Sequence, residues 1–176
     1  ASVAITLTIT DGTGDSSAEL KGTTLVTSSN GIATFNSAYI EKVASGYSIT
    51  ATATGLTSAV SSTFNIAPAS PSKLGFTTNP GGAAANSLLG TQPVVALQDA
   101  YGNSVTGGSS IPVTMAIMYG SGASGAVLSG TKTVNTVNGT ATFTDLKIDK
   151  VGTNYRLYAY TGFYDYALSL PISITG

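Results

Sequence analysis

Hydrophobic residues fall at every second position along much of this chain. In "VAITLTITDG", Val3, Ile5, Leu7 and Ile9 alternate with Ala4, Thr6, Thr8 and Thr10. "IPVTMAIMYG" repeats the pattern with Ile111, Val113, Met115 and Ile117, and "GYSITATATG" sets Tyr47, Ile49, Ala51 and Ala53 to one side. Successive side chains of an extended backbone point to opposite faces, so a period of two predicts strands with one face on a core. Turn signals stand between them: "DGTGD", "SNG", "NPGG", "YGN", "TGG" and "VNG". Gly and Asn tolerate the left-handed backbone that tight turns need. No segment carries the 3.6-residue period of an amphipathic helix. Short strands at regular spacing predict an all-β sandwich.

The pattern occurs twice. Residues 3–66 align without a gap on residues 111–174, and about a third of the aligned positions are identical. Such a fixed period marks tandem domains. The matches fall where turns or a core would demand them. Gly12 and Gly14 match Gly120 and Gly122, Asn30 and Gly31 match Asn138 and Gly139, and Phe35 and Tyr47 match Phe143 and Tyr155. The Pro-rich stretch "APASPS" (67–72) reads as a short, stiff linker. The expected domains are therefore 1–68 and 69–176.

The two copies differ at the front. The second opens with "SKLGFTTNPGGAAANSLLGTQPVVALQDAYGNSVTGG", read as a first strand at Lys73–Thr77, a long turn, a second strand at Pro93–Asp99 and a tight turn. The first copy has no counterpart, so it is expected to lack two of about seven strands. Such a sandwich exposes both core and sheet edges, and both invite association.

Composition narrows the function. Charged residues are 9% of the 176, against roughly 25% in ordinary domains. The deficit is filled by Thr, Ser, Gly and Ala, while the apolar fraction, 42%, supports a core. The net charge of −1 offers no basic footprint for nucleic acid. Without Cys, His or Trp, the chain has no disulfides, no Cys/His zinc site and no His-based catalytic triad. No apolar run approaches the roughly 18 residues of a spanning helix, so membrane insertion is not expected.

"LQDAYGNSV" resembles the D-x-x-G-N-x-V segment of bacterial immunoglobulin-like repeats, found in invasin/intimin-type adhesins and related large surface proteins. "VNGTATF" and "DKVGTNYRLYAY" resemble the later N-G-x-A-T-F and K-x-G-x-Y-x-L-x-A segments of those repeats. The resemblance covers all of the second copy and the back two-thirds of the first. It implies two tandem immunoglobulin-like β-sandwich domains, the first lacking its N-terminal strands. It also implies an extracellular stalk, adhesin, surface-layer or fibre component.

Candidate chemistry is thin, and no residue is assigned a catalytic, cofactor or metal role. Asp99, Gly102 and Asn103 could suggest a calcium loop, but a capped turn is preferred. Asp11, Asp15 and Glu19 miss the calcium-loop spacing and read as a solvated loop. Asp145 and Asp149 imitate a carboxylate pair without a helper residue. Asn138-Gly139-Thr140 is formally a glycosylation acceptor, yet Asn30-Gly31-Ile32 is not, which favours a turn at both. Lys73 could in principle form an isopeptide crosslink with an Asn or Asp, but nothing in the sequence supports one.

One feature rises above this background. Alternation in "NYRLYAYTGFYDYALSL" sends Tyr155, Leu157 and Ala159 inward and Arg156, Tyr158 and Tyr160 outward. Tyr164 and Tyr166 are expected on the next strand. The strand at 111–118 is expected to pair with that at 154–161, so Met118 joins Tyr158 and Tyr160 on one face. The first copy has Thr10, Thr50 and Thr52 at the matching positions. Tyr and Met are enriched at interface cores, which makes Met118, Tyr158, Tyr160, Tyr164 and Tyr166 a candidate interface. The alternative is cross-strand packing that merely stabilises the sheet. The expected protein is non-catalytic and extracellular, a surface-array module or a self-assembling fibre or surface-layer subunit. Its partners would be other copies of itself or neighbouring repeats. A carbohydrate- or host-ligand-binding module using exposed tyrosines is the alternative, although a glycan partner is unsupported.

Overall fold

The computed structural model describes residues 2–176. Among them there is no helix, and the strands form six small sheets. This all-β arrangement is consistent with the β-sandwich class. The chain divides into two compact units, with the division between Pro68 and Ala69.

The first unit contains β1 (Ala4–Ile9), β2 (Leu25–Thr27), β3 (Ala44–Tyr47), β4 (Ile49–Thr52), β5 (Ala59–Val60) and β6 (Phe64–Ile66). Four of them make an antiparallel sheet in the order β2-β1-β4-β5, and β3 pairs with β6. In the register, Leu7 faces Ala51 and Ile9 faces Ile49. The inward residues of the alternating pattern therefore line up across strands.

The second unit begins with β7 (Lys73–Thr78), β8 (Ala83–Ala84) and β9 (Val94–Gln98). The expected long turn thus contains a short strand that alternation does not reveal. After these come β10 (Pro112–Ile117), β11 (Leu128–Ser129), β12 (Thr133–Asn135), β13 (Thr140–Thr142) and β14 (Lys147–Ile148). The unit ends with β15 (Gly152–Tyr155), β16 (Leu157–Tyr160), β17 (Ala167–Leu168) and β18 (Ile172–Thr175). The sheet β12-β10-β16-β17 repeats β2-β1-β4-β5, and β15 with β18 repeats β3 with β6, down to the same irregularity in register. As expected of a sandwich, β10 pairs with β16, and it does so antiparallel.

The correspondence extends to atoms. Asn30 and Asn138 both take positive φ, 51° and 49°. Tyr47 and Tyr155 are both fully buried, and each hydroxyl donates to a carbonyl five residues upstream, Lys42 at 2.9 Å and Lys150 at 2.8 Å. Each ring lies against a glycine of positive φ, Gly14 or Gly122, where a Cβ would come within 2.1 Å of the ring. Only glycine meets both demands.

The units differ in their interiors. In the second, Val113, Met115, Phe143, Leu146, Ile148 and Leu157 are all essentially inaccessible and belong to one core. Val95 and Leu97 of β9 complete that core from the front segment. In the first, the matching Ile5, Leu7, Phe35, Ala38, Ile40 and Ile49 are only half-buried. Tyr47 is its one fully buried large apolar side chain among the described residues. The sheets β13-β9-β7 and β15-β18-β8 show the cause. The front segment bends at Asn79–Gly82, so that β7 joins one sheet and β8 the other. None of the described residues of the first unit occupies that place.

Deleting a ring from a closed core costs more than deleting it from an open one. Phe143→Ala should destabilise the second unit by about 3–5 kcal/mol, the range for large-to-small core changes. The matched Phe35→Ala should cost the first unit less than about half of that, because its ring is already partly in water. Hydrogen-exchange protection measured unit by unit checks this. Equal losses would show that the first interior is as closed as the second.

Candidate association surfaces

The open face of the first unit is its most unusual surface. Leu7, Leu20, Ile40, Ile49, Phe64 and Ile66 line a shallow cavity of about 170 Å³ with Ala38 and Tyr39. Each sits there because alternation or a turn aims it inward. Their counterparts Met115, Leu128, Ile148, Leu157, Ile172 and Ile174 are buried in the second unit. The face therefore has the composition of a core without its cover.

Its backbone is equally unfinished. In the second unit, Phe143 N–H donates to Pro93 O at 3.1 Å and Gly139 O accepts from Leu97 N–H at 2.8 Å. These bonds flank the β13–β9 pairing, in which Ala141 faces Val95. The matching Phe35 N–H and Gly31 O have no partner among the described residues. Residues 32–34 accordingly form no strand beyond one local bridge, although Ala33-Thr34-Phe35 repeats Ala141-Thr142-Phe143.

The second surface is the outer face of β12-β10-β16-β17. Tyr158 faces Ala116 and Leu168, and Tyr160 faces Thr114. The two rings stack with centroids 5.2 Å apart and planes at 22°, and Tyr160 remains 40% exposed. Met118 lies half-buried just beyond β10, where its N–H donates to Arg156 O at 2.7 Å. On the first unit, Thr10 and Thr50 occupy the places of Met118 and Tyr158, and their hydroxyls bond at 2.8 Å. One scaffold thus carries a bonded hydroxyl pair in one unit and Met118 and Tyr158 at the matching positions in the other.

The remaining tyrosines divide. Tyr166 is 62% exposed and immediately precedes β17. Tyr164 lies in the bend before it, half-buried against the core beside Pro71, Val105 and Ile111. The expectation that both fall on the next strand is corrected: the 161–166 loop delays β17 to Ala167, and Tyr164 turns inward. Two exposed leucines, Leu168 and Leu170, extend the apolar character of this region. Their signal was legible in "YALSL", since buried Ala167 and Ser169 alternate with Tyr166, Leu168 and Leu170.

The acidic residues act on their own loops. Asp99 is fully buried, and its carboxylate accepts N–H bonds from Tyr101 (3.0 Å), Asn103 (2.9 Å) and Ala69 (3.1 Å) and from the Asn103 side chain (2.9 Å). Four donors from the protein make it the hub of a turn. Asp145 accepts from Thr131 N–H and Oγ1, both at 2.8 Å, and Asp149 from Val127 N–H at 2.7 Å. Asp15 caps Ser17 in the same way. Asp11 and Glu19 are exposed. No group of three or more His, Cys, Asp or Glu residues is placed to hold a metal among the described residues. Lys73 Nζ donates to Ala100 O at 3.0 Å. Gly139, after Asn138, has φ 76° and packs so closely on Val105 O that a Cβ would lie 1.9 Å away. The Asn138 turn is therefore built into the fold.

Models of known protein families show no match to this chain, and neither do curated proteins.

Burial raises the Asp99 pKa, but the hydrogen bonds from Asn103, Ala69 and Tyr101 outweigh it and hold the carboxyl below its usual value. A carboxyl with a depressed folded pKa stabilises above its unfolded pKa, about 4, and that contribution disappears as pH falls through the folded value. Asp99→Asn should therefore lower second-unit stability at neutral pH and flatten its decline below about pH 4. Urea unfolding at pH 7 and pH 3 checks this. An unchanged acid slope would remove Asp99 as its source.

Proposed function

We propose that this chain is a non-catalytic, extracellular structural or adhesive protein of immunoglobulin-like repeats that works by association. In this reading it belongs to a surface stalk, fibre or surface layer, and its partners are other copies or neighbouring repeats. The observation that carries the proposal is the contrast between two copies of one strand pattern. One is closed over a full core, and the other presents the same inward residues and strand edges to solvent. Uncovered apolar faces and unpaired edges are the usual sites of strand addition and intermodule contact.

Two details support the immunoglobulin-like part. A buried tyrosine whose hydroxyl bonds back to the backbone a few residues upstream at a strand corner is a hallmark of such sandwiches, and both units contain one. A front segment shared between two sheets, as by β7 and β8, suits the same architecture. The low charge fits a surface covered in an assembly, since charged residues are depleted at interface cores.

The Tyr158–Tyr160 pair supports a second contact surface. Exposed aromatic rings could also receive a sugar, but Tyr and Met together are the residues enriched at protein interface cores. Protein contact is therefore the preferred reading.

Light scattering on the chain, 17.5 kDa as a monomer, tests the association directly. Tyr158→Ser with Tyr160→Thr reproduces the Ser/Thr character of the first unit's face. It should leave the second unit folded and weaken assembly roughly tenfold or more, as loss of interface aromatics does. Loss of folding instead would make the pair structural. A wild-type chain that stays monomeric at high concentration would refute self-association.

A further inference from the structure

The second unit displays, within the same chain, what covers a face of this kind. Its front segment, residues 69–105, is joined to the rest of the unit along several backbone seams, among them one between β7 and Asp165, and three others border the face that is open in the first unit. β9 pairs antiparallel with β13. Leu89 N–H and Asn86 N–H donate to Leu146 O at 3.0 Å and Ile148 O at 2.9 Å. β8 runs parallel to β18, with Ala85 N–H donating to Thr175 O at 2.8 Å.

All three seams have counterparts in the first unit. Gly31 O and Phe35 N–H stand where β9 would pair. Ala38 O and Ile40 O match the acceptors Leu146 O and Ile148 O, and they have no donor among the described residues. The edge of β6 away from β3 matches the edge of β18 that carries β8. Between these edges lies the apolar cavity. Its lining residues Ala38, Tyr39 and Ile40 match Leu146, Lys147 and Ile148, which residues 86–89 of the front segment cover in the other unit.

We propose that the open face of the first unit is a receptor for an extended segment of a partner polypeptide. That segment has apolar side chains at alternate positions, lies antiparallel to residues 31–35 and continues along Ala38–Ile40 and β6. Transferring the register of β9 places its central apolar residue opposite Ala33, as Val95 lies opposite Ala141. The partner segment is neutral as well as apolar. The face offers backbone donors and acceptors and hydrocarbon, and a charge placed there would lose its water without a counterion. The front segment of a second copy is a poor donor, because its Val95 and Leu97 are already at most 2% exposed in their own core. The inference deepens the association reading and rests on it, by naming what one of its surfaces takes.

A synthetic peptide of residues 69–105, titrated into the full chain, serves as the probe. Calorimetry should give one peptide per chain, and hydrogen exchange should show new protection at the Ala33 and Phe35 amides. A peptide carrying Val95→Asp and Leu97→Asp should bind more than about a hundredfold more weakly, since two apolar groups that would be buried become charged. Because the substitutions are in the peptide, the folding of the protein is not in question. Equal binding of the two peptides, no binding of either, or protection confined to the second unit would overturn the proposal. So would protection of Ala33 and Phe35 that grows with protein concentration alone, which would make a second copy the occupant. Failure of the peptide alongside an assembling chain sinks this inference and leaves the association reading. Specific binding by a chain that remains monomeric keeps the inference and removes self-association.

Discussion

An apolar sheet face is only half a core, and this structure depends on whether the other half is present. A sandwich is stable when the inward residues of one sheet are covered by those of another. In the second unit, β7 and β9 supply the cover, and Val113, Met115 and Leu157 vanish from solvent. In the first unit, the same strands in the same register stay half-exposed. Differences in backbone pairing and exposed edge follow from that single difference.

The incomplete unit nevertheless keeps the trace of the complete one. Its anchor is Tyr47, which presses on Gly14 and ties its hydroxyl to Lys42 O. A second tie is the buried Ser28, whose hydroxyl accepts from Val3 N–H at 3.0 Å as Thr136 accepts from Ile111 N–H. Both lie within the first unit and need no front segment. They hold β1 to β2 and the β3 corner to its upstream loop. The geometry of the open face is therefore set without a partner, and a preorganised surface loses less entropy on binding.

Much of this was legible from alternation and glycine placement. The outward turn of Tyr158 and Tyr160 follows from a period of two, and the pairing of β10 with β16 from the sandwich type. What was not legible depended on partners distant in sequence. "NGIATF" and "NGTATF" are nearly the same words, yet residues 140–142 form a strand and residues 32–34 do not. Strand formation there is decided by β9, not by propensity. The two-residue β8 carries no period, and it is a strand because β18 lies beside it. Tyr164 escaped because a loop has no alternation to read. Leu168 and Leu170 are readable from the alternation in "YALSL".

The parallel contact between β8 and β18 gives the two units different mechanical characters. Tension drawn through the front of the second unit and out along β18 pulls these parallel strands in opposite directions along their length. Their cross-links must then yield together, in shear. In the first unit, β6 pairs with its antiparallel neighbour β3, and among the described residues its other edge carries no such lock. Under load, the open unit is the extensible element of the chain and the closed unit the stiff one.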